Sequence, residues 1–241
     1  VIRQIGVLTA SHKKLFYKAQ PAHLFVANIL VLGAGFGGLT AANILRSHLP
    51  NEHAVTVIDK DEHFMMGLAK LGILVGKRTL SSSRVSRALL AHKGIEFVND
   101  AIVKIDQQNK VVKTATQKLG YDYLIISLGA ELAPQRIKGF QYAPNAYNLY
   151  DAESVAKLHS VLQSFKSGKI VLLMASVPFK CPAAPYEAAF LLHDYFSTKG
   201  FRNKIDLAVI TPETQPMPVA GKVVGEKVAA LLRQHGIRYL P

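Results

Sequence analysis

The chain has 241 residues, of which 49% are hydrophobic and 19% charged, with one cysteine, no tryptophan and a net charge of +13. This is a globular composition, sufficient for one large domain or two small ones, and a single thiol excludes an internal disulfide or a multi-cysteine metal site. The scattered histidines exclude a metal site of ordinary spacing, and no apolar run reaches the roughly 18–20 uncharged residues of a membrane span.

The positive charge comes without interleaved aromatic residues or a recognition helix, so nucleic acid is a poor match and an anionic cofactor or anionic surface a better one. Residues 1–25 contribute Arg3, Lys13, Lys14 and Lys18 and no acid. They lack the pattern of a signal peptide and read as an extension outside the fold, poorly ordered. The chain starts at Val1 and stops within IRYLP, so it reads as a fragment.

Residues 28–32 (NILVL) predict a buried strand, and a helix follows through about Leu49, then a second strand, AVTVID, at 54–59. Between the first strand and the helix lies Gly33-Ala34-Gly35-Phe36-Gly37-Gly38. Gly33 suits the tight turn, Gly35 lets the backbone approach a pyrophosphate, and Gly38 permits close packing of helix on strand. The free N–H groups and positive dipole end of the helix then hold phosphate charge. Asp59, ending the second strand, can accept hydrogen bonds from ribose hydroxyls, which favours FAD or NAD(H) over NADP(H).

Residues 63–80 read as loop plus irregular helix, with Met65 and Met66 as core packing. Ser81-Ser82-Ser83 predicts the cap of a helix to about Lys93, stopped by Gly94, and 95–99 a strand. An antiparallel insert at about 101–120 has two strands around a turn at 107–110, and YLIIS returns as a buried strand. Asp151 caps a helix that Gly168 closes. The strand 169–175 reads as buried, followed by helix 183–199, strand 205–210, helix 222–235 and strand 237–240. His193, on an apolar helix face, reads as a core histidine.

The fold class is therefore α/β, with two Rossmann-like units built on parallel sheets and an antiparallel insert between them. The expected domains are 26–150, an incomplete FAD-binding unit, and 151–241, a second, truncated unit. YDYLIISLGAEL (121–132) is similar to a segment of flavoproteins with two dinucleotide-binding domains, in which the backbone near the glycine, here Gly129, lies against FAD. Ser127-Leu128-Gly129 replaces the usual Ala-Thr-Gly.

The second unit has no glycine-rich loop. After its first strand the chain reads VPFKCPAAPYE (177–187), where Pro178, Pro182 and Pro185 offer no N–H to a phosphate. A nicotinamide dinucleotide is therefore not expected there in the usual manner.

Together, VLGAGFGGL, VTVIDK, YDYLIISLGAE and FKCPAAPYE resemble the sulfide:quinone oxidoreductase family, which includes the flavin subunit of flavocytochrome c sulfide dehydrogenase. It lies within the FAD-dependent pyridine nucleotide-disulfide oxidoreductase superfamily. The resemblance runs from about Ala27 to Pro241 and corresponds to the N-terminal part of a member. It implies FAD as cofactor, sulfide or a related sulfur species as donor and quinone as acceptor. It also implies a cytoplasmic or peripheral membrane position.

Cys181 then corresponds to the flavin-proximal thiol and Glu187 to a nearby acid/base. The cofactor set is Gly33, Gly35, Phe36, Gly37, Gly38, Asp59, Lys60, Val103 and Gly129, with no metal. A thiolate is the competent nucleophile and can carry incoming sulfur. Members use a second cysteine, a second FAD-contacting segment and membrane-docking helices from later in the chain. Without them this chain is expected to be inactive by itself. Two other readings stand beside this one: a type II NADH dehydrogenase-like flavoenzyme and a non-catalytic nucleotide-binding fragment.

Overall fold

The computed structural model describes residues 26–241, and the expectation for residues 1–25 lies outside them. β1 (Asn28–Leu32), α1 (Phe36–His48) and β2 (Ala54–Asp59) form the opening unit. β1 and β2 pair in parallel, Leu32 opposite Ile58, and are buried because apolar and β-branched residues fill both faces.

A short antiparallel ribbon follows, β3 (His63–Met65) with β4 (Arg84–Ser86), enclosing α2 (Ala69–Leu74). The helix expected over 81–93 is instead two 3-10 turns separated by β4. Pairing of β4 with β3 interrupts it, and the hydroxyl of Ser86, rather than the serine run, accepts the Ala88 N–H at the start of the second turn.

β5 (Glu96–Asn99) adds to β2. The insert has three antiparallel strands and not two: β6 (Ile102–Asp106), β7 (Val111–Thr114) and β8 (Lys118–Gly120). β9 (Tyr123–Ile126) then pairs with β1, giving the order β5-β2-β1-β9.

After α3 (Ala152–Ser164), a second parallel sheet has β10 (Gly168–Leu173), β11 (Ile205–Ile210) and β12 (Arg238–Leu240), with α4 (Ala184–Thr198) and α5 (Lys222–Gln234) as crossovers. β9 and β10 are not the buried strands expected. Each lies at a sheet edge, and Tyr123 is 60% exposed and Leu173 62%.

α2 belongs to the second core although its sequence lies in the first half. Leu71, Ile73 and Leu74 pack with Val155 of α3, Leu192 and Phe196 of α4, and Leu207 of β11. This brings the segment between β3 and α2 beside the start of α4.

Candidate functional site

The glycine turn is built as tightly as its spacing predicts. Gly33 has φ +93° and its N–H donates to Ile58 O at 2.8 Å. A Cβ on Gly38 would meet Gly33 O at 1.8 Å, so α1 can rest on the strand end only without a side chain there. Gly35 faces open space, with nothing within 4 Å of an added Cβ. It is also the N-cap of α1, where no side chain caps the first N–H groups. An open cradle of free donors at a helix start fits a pyrophosphate.

Asp59 is more heavily committed than a free ribose acceptor. One carboxylate oxygen accepts the Ala34 N–H at 2.6 Å, and the other accepts the Asp61 N–H at 2.9 Å. The guanidinium of Arg87, only 7% exposed, lies 3.3 Å from that second oxygen. Arg87 also donates to Ala34 O, at 3.0 and 3.2 Å, and to Asp61 O. It thus ties the glycine turn to the end of β2. Nothing in the sequence marked it, because a single arginine after a serine run looks like an ordinary solvated residue.

The remaining cofactor candidates lie around this edge. Lys60 is exposed and 3.7 Å from Glu131, just beyond Gly129, which is itself exposed at φ +71°. Ser127, ending the strand segment, abuts both Gly33 and Gly37: an added Cβ on either would come within 2.4 Å of a Ser127 oxygen. Val103 stands apart on the insert, 62% exposed where the β6–β7 register shifts.

Cys181 is exposed and has φ +56°, a left-handed conformation rare for a residue with a side chain. Its carbonyl accepts the Ala184 N–H at 3.0 Å, leading into α4, and the Tyr150 hydroxyl donates to the neighbouring Lys180 O. Burial, followed by the charge of Cys181, pushes the Tyr150 phenol up to about 12, so it remains a donor at neutral pH.

The thiol lines a cavity of about 260 Å³. Phe36 of the glycine turn, Met66, Leu71, Tyr150 and Lys180 line the same cavity. The two sites singled out separately in the sequence therefore open onto one space. Met65 packs against the core as expected, but Met66 is 50% exposed and belongs to the cavity wall.

Glu187 is not brought to the thiol cavity. It is exposed in the first turn of α4 and lines a separate hollow of about 510 Å³, together with Phe190, His193, Asp194 and His235. His193 is half-buried there and accepts from Arg202 Nε at 2.9 Å. Among the described residues there is no cluster suited to a metal ion, and no helix is long and apolar enough to cross a membrane.

Residues 27–174 match the family described as pyridine nucleotide-disulphide oxidoreductase. The chain belongs to this family. Among its relatives is the mitochondrial sulfide:quinone oxidoreductase of Mus musculus, 30% identical over 184 residues, covering 74% of this chain and 40% of the mouse protein. The solved sulfide:quinone oxidoreductase of Aquifex aeolicus superposes with a TM-score of 0.79 at 26% identity, covering 89% of this chain and 51% of that one. A type II NADH:quinone oxidoreductase of Staphylococcus haemolyticus is 27% identical over 135 residues, covering 54% of this chain and 32% of that protein. The chain thus spans about half or less of these relatives' length. The family and its sulfide:quinone relatives are FAD-binding flavoproteins, and FAD is the cofactor that the open glycine cradle of this pyridine nucleotide-disulphide oxidoreductase chain fits.

Proposed function

We propose that this chain carries the FAD-binding and sulfur-reacting parts of an FAD-dependent oxidoreductase that oxidises sulfide, or a related small sulfur species, and delivers electrons to quinone. The observation that carries it is one cavity lined by both Phe36, from the dinucleotide turn, and Cys181. Residues 26–150 form the cofactor unit in this reading and residues 151–241 the unit that supplies the thiol, with α2 joining them.

Gly33, Gly35, Gly37 and Gly38 hold the pyrophosphate on backbone donors, Asp59 uses its remaining acceptor capacity for the ribose, and Lys60 and Gly129 border the cofactor, whereas Val103 on the insert has no part in this reading. FAD, when bound, supplies a two-electron acceptor. Cys181 Sγ forms a bond to the sulfur of hydrosulfide, and that bond formation releases one proton and the two electrons. The strained Cys181 backbone, held by Tyr150 through Lys180 O, keeps Sγ at the cavity wall. Glu187 faces the other hollow and serves this reading as a first-turn acid of α4. Quinone as acceptor places the complete enzyme at the periphery of a membrane.

Anaerobic flavin spectroscopy of the FAD-loaded chain tests this. The expected result is stoichiometric FAD binding, bleaching by sulfide, and loss of sulfide bleaching in Cys181→Ser with binding intact. Absence of FAD binding overturns the proposal. Bleaching by NADH but not by sulfide would favour the NADH dehydrogenase-like reading.

A further inference from the structure

The cavity beside Cys181 carries two ammonium groups and no carboxylate. Lys70, second residue of α2, and Lys180, immediately before the thiol, both line it. Among the described residues neither makes an ion pair within 4 Å. Burial first, then the charge of Lys180, hold the Lys70 ammonium below the usual lysine range, and Asp151 pulls in the other direction. That carboxylate is already engaged, accepting the Ser154 N–H at 2.7 Å as the cap of α3.

The rest of the wall is mostly apolar, and the Tyr150 hydroxyl is spent on Lys180 O. Lys70 is half-buried and Lys180 is exposed at the rim of the cavity; their like charges repel one another, and a small anion held by both would relieve that repulsion. The space is about 260 Å³ and Phe36 of the dinucleotide turn also borders it, so what remains for an occupant beside the thiol is small.

We propose that Lys70 and Lys180 form a subsite for a small anion next to Cys181, of the class of hydrosulfide, low-molecular-weight thiolates and sulfur oxyanions. The sulfur identity rests on the function proposed above, whereas the charge selection stands on the cavity alone. Lys70 and Lys180 are positioning residues in this scheme: they select and hold the anion that meets Sγ.

The chain has one cysteine, so alkylation followed by intact mass reports a single site. Iodoacetate and iodoacetamide are of similar size and differ in charge. The measured quantity is their rate ratio at Cys181, compared with the same ratio for N-acetylcysteine amide in the same buffer. A cationic subsite raises the protein's ratio about 5-fold or more above the reference at low salt, and the excess shrinks as salt is added. Lys70→Met and Lys180→Met each lower the ratio, the double variant returns it to the reference, and Lys70→Arg retains it.

A wild-type ratio equal to the reference, or one insensitive to salt, overturns the proposal without any variant having to fold. So does a ratio that survives in a folded double variant. The measurement is made first without flavin, so it can fail while FAD binding succeeds, or the reverse. It is then repeated with saturating FAD, where the anion preference is expected to persist. Its disappearance would mean that the two ammonium groups serve the cofactor and not a substrate anion.

Discussion

The Arg87 guanidinium and the Asp59 carboxylate sit 3.3 Å apart with side chains 7% and 15% exposed, joining two segments that both border the glycine turn. Arg87 fixes the Ala34 carbonyl while Asp59 fixes the Ala34 N–H, so the two peptides flanking Ala34 are both held. The backbone of the turn is thereby held in place by protein groups alone.

Replacing Arg87 should therefore affect stability and cofactor affinity together. Arg87→Met leaves the Asp59 charge covered and without its counter-ion, and removal of one partner from such a pair costs about 3 kcal/mol. Urea denaturation should read that loss, and FAD titration should show weaker binding at a temperature where the variant is still folded. Arg87→Lys, with a single point charge in place of the fork, should recover only part of either.

Gly38 and Gly35 should respond to the same substitution in opposite ways. Gly38→Ala drives a Cβ to 1.8 Å from Gly33 O, a backbone atom that cannot step aside, and should destabilise the chain by about 3 kcal/mol or more. Gly35→Ala meets nothing within 4 Å, and as an N-cap change should cost less than about 1 kcal/mol. Its methyl group instead enters the cradle, so FAD affinity should fall about tenfold or more, the loss of roughly one phosphate hydrogen bond to a charged group. Thermal melting and flavin titration separate the two effects.

Much of this site follows from local rules that a sequence displays. The β1-turn-α1-β2 unit is legible because glycine spacing, strand composition and the terminal acid each constrain the same few residues. Arg87 and Lys70 were not legible, since their roles arise from chain folding that brings segments distant in sequence to one place. Glu187 follows Cys181 closely in sequence, but the first turn of α4 directs it to a different hollow. The apolar content of β9 and β10 records what a strand can bury and not what covers it, which is why two edge strands read as interior ones. Serines at 81–83 are good cap residues in isolation, yet ribbon pairing of β3 with β4 takes precedence over that local preference.

A buried polar contact in the second unit gives a further test. The Tyr186 hydroxyl donates to the Glu213 carboxylate, which also lies 3.3 Å from Thr211 Oγ1, and Glu213 is 5% exposed. Burial, then the Glu213 hydrogen bond, push the Tyr186 phenol far above the usual tyrosine range, so it stays a donor through neutral and mildly basic pH. Tyr186→Phe strips one donor from a buried carboxylate and should cost about 2 kcal/mol. Tyr186→Phe with Glu213→Gln should cost less than the sum of the singles, a coupling that a double-mutant cycle by urea denaturation will measure.

The hollow on the far side of α4 should make the fold acid-sensitive through His193. Burial first, then the His235 ring at 4.5 Å between centroids and the Arg202 guanidinium, hold the His193 imidazolium below the ordinary histidine value of 6.5, with Asp194 opposing. Arg202 Nε donates to His193 Nδ1, so the folded state uses that nitrogen as an acceptor, and a proton there would set two donors against each other. A folded value below the unfolded one means that the unfolded chain binds the proton more readily. The contribution to stability is therefore complete above about pH 6.5 and is lost as pH falls through the lowered folded value. Melting temperature should drop between pH 7.5 and pH 5. His193→Gln can retain an acceptor towards Arg202 without titrating, so it should flatten that drop, and an unchanged pH slope in this variant would remove His193 as its source.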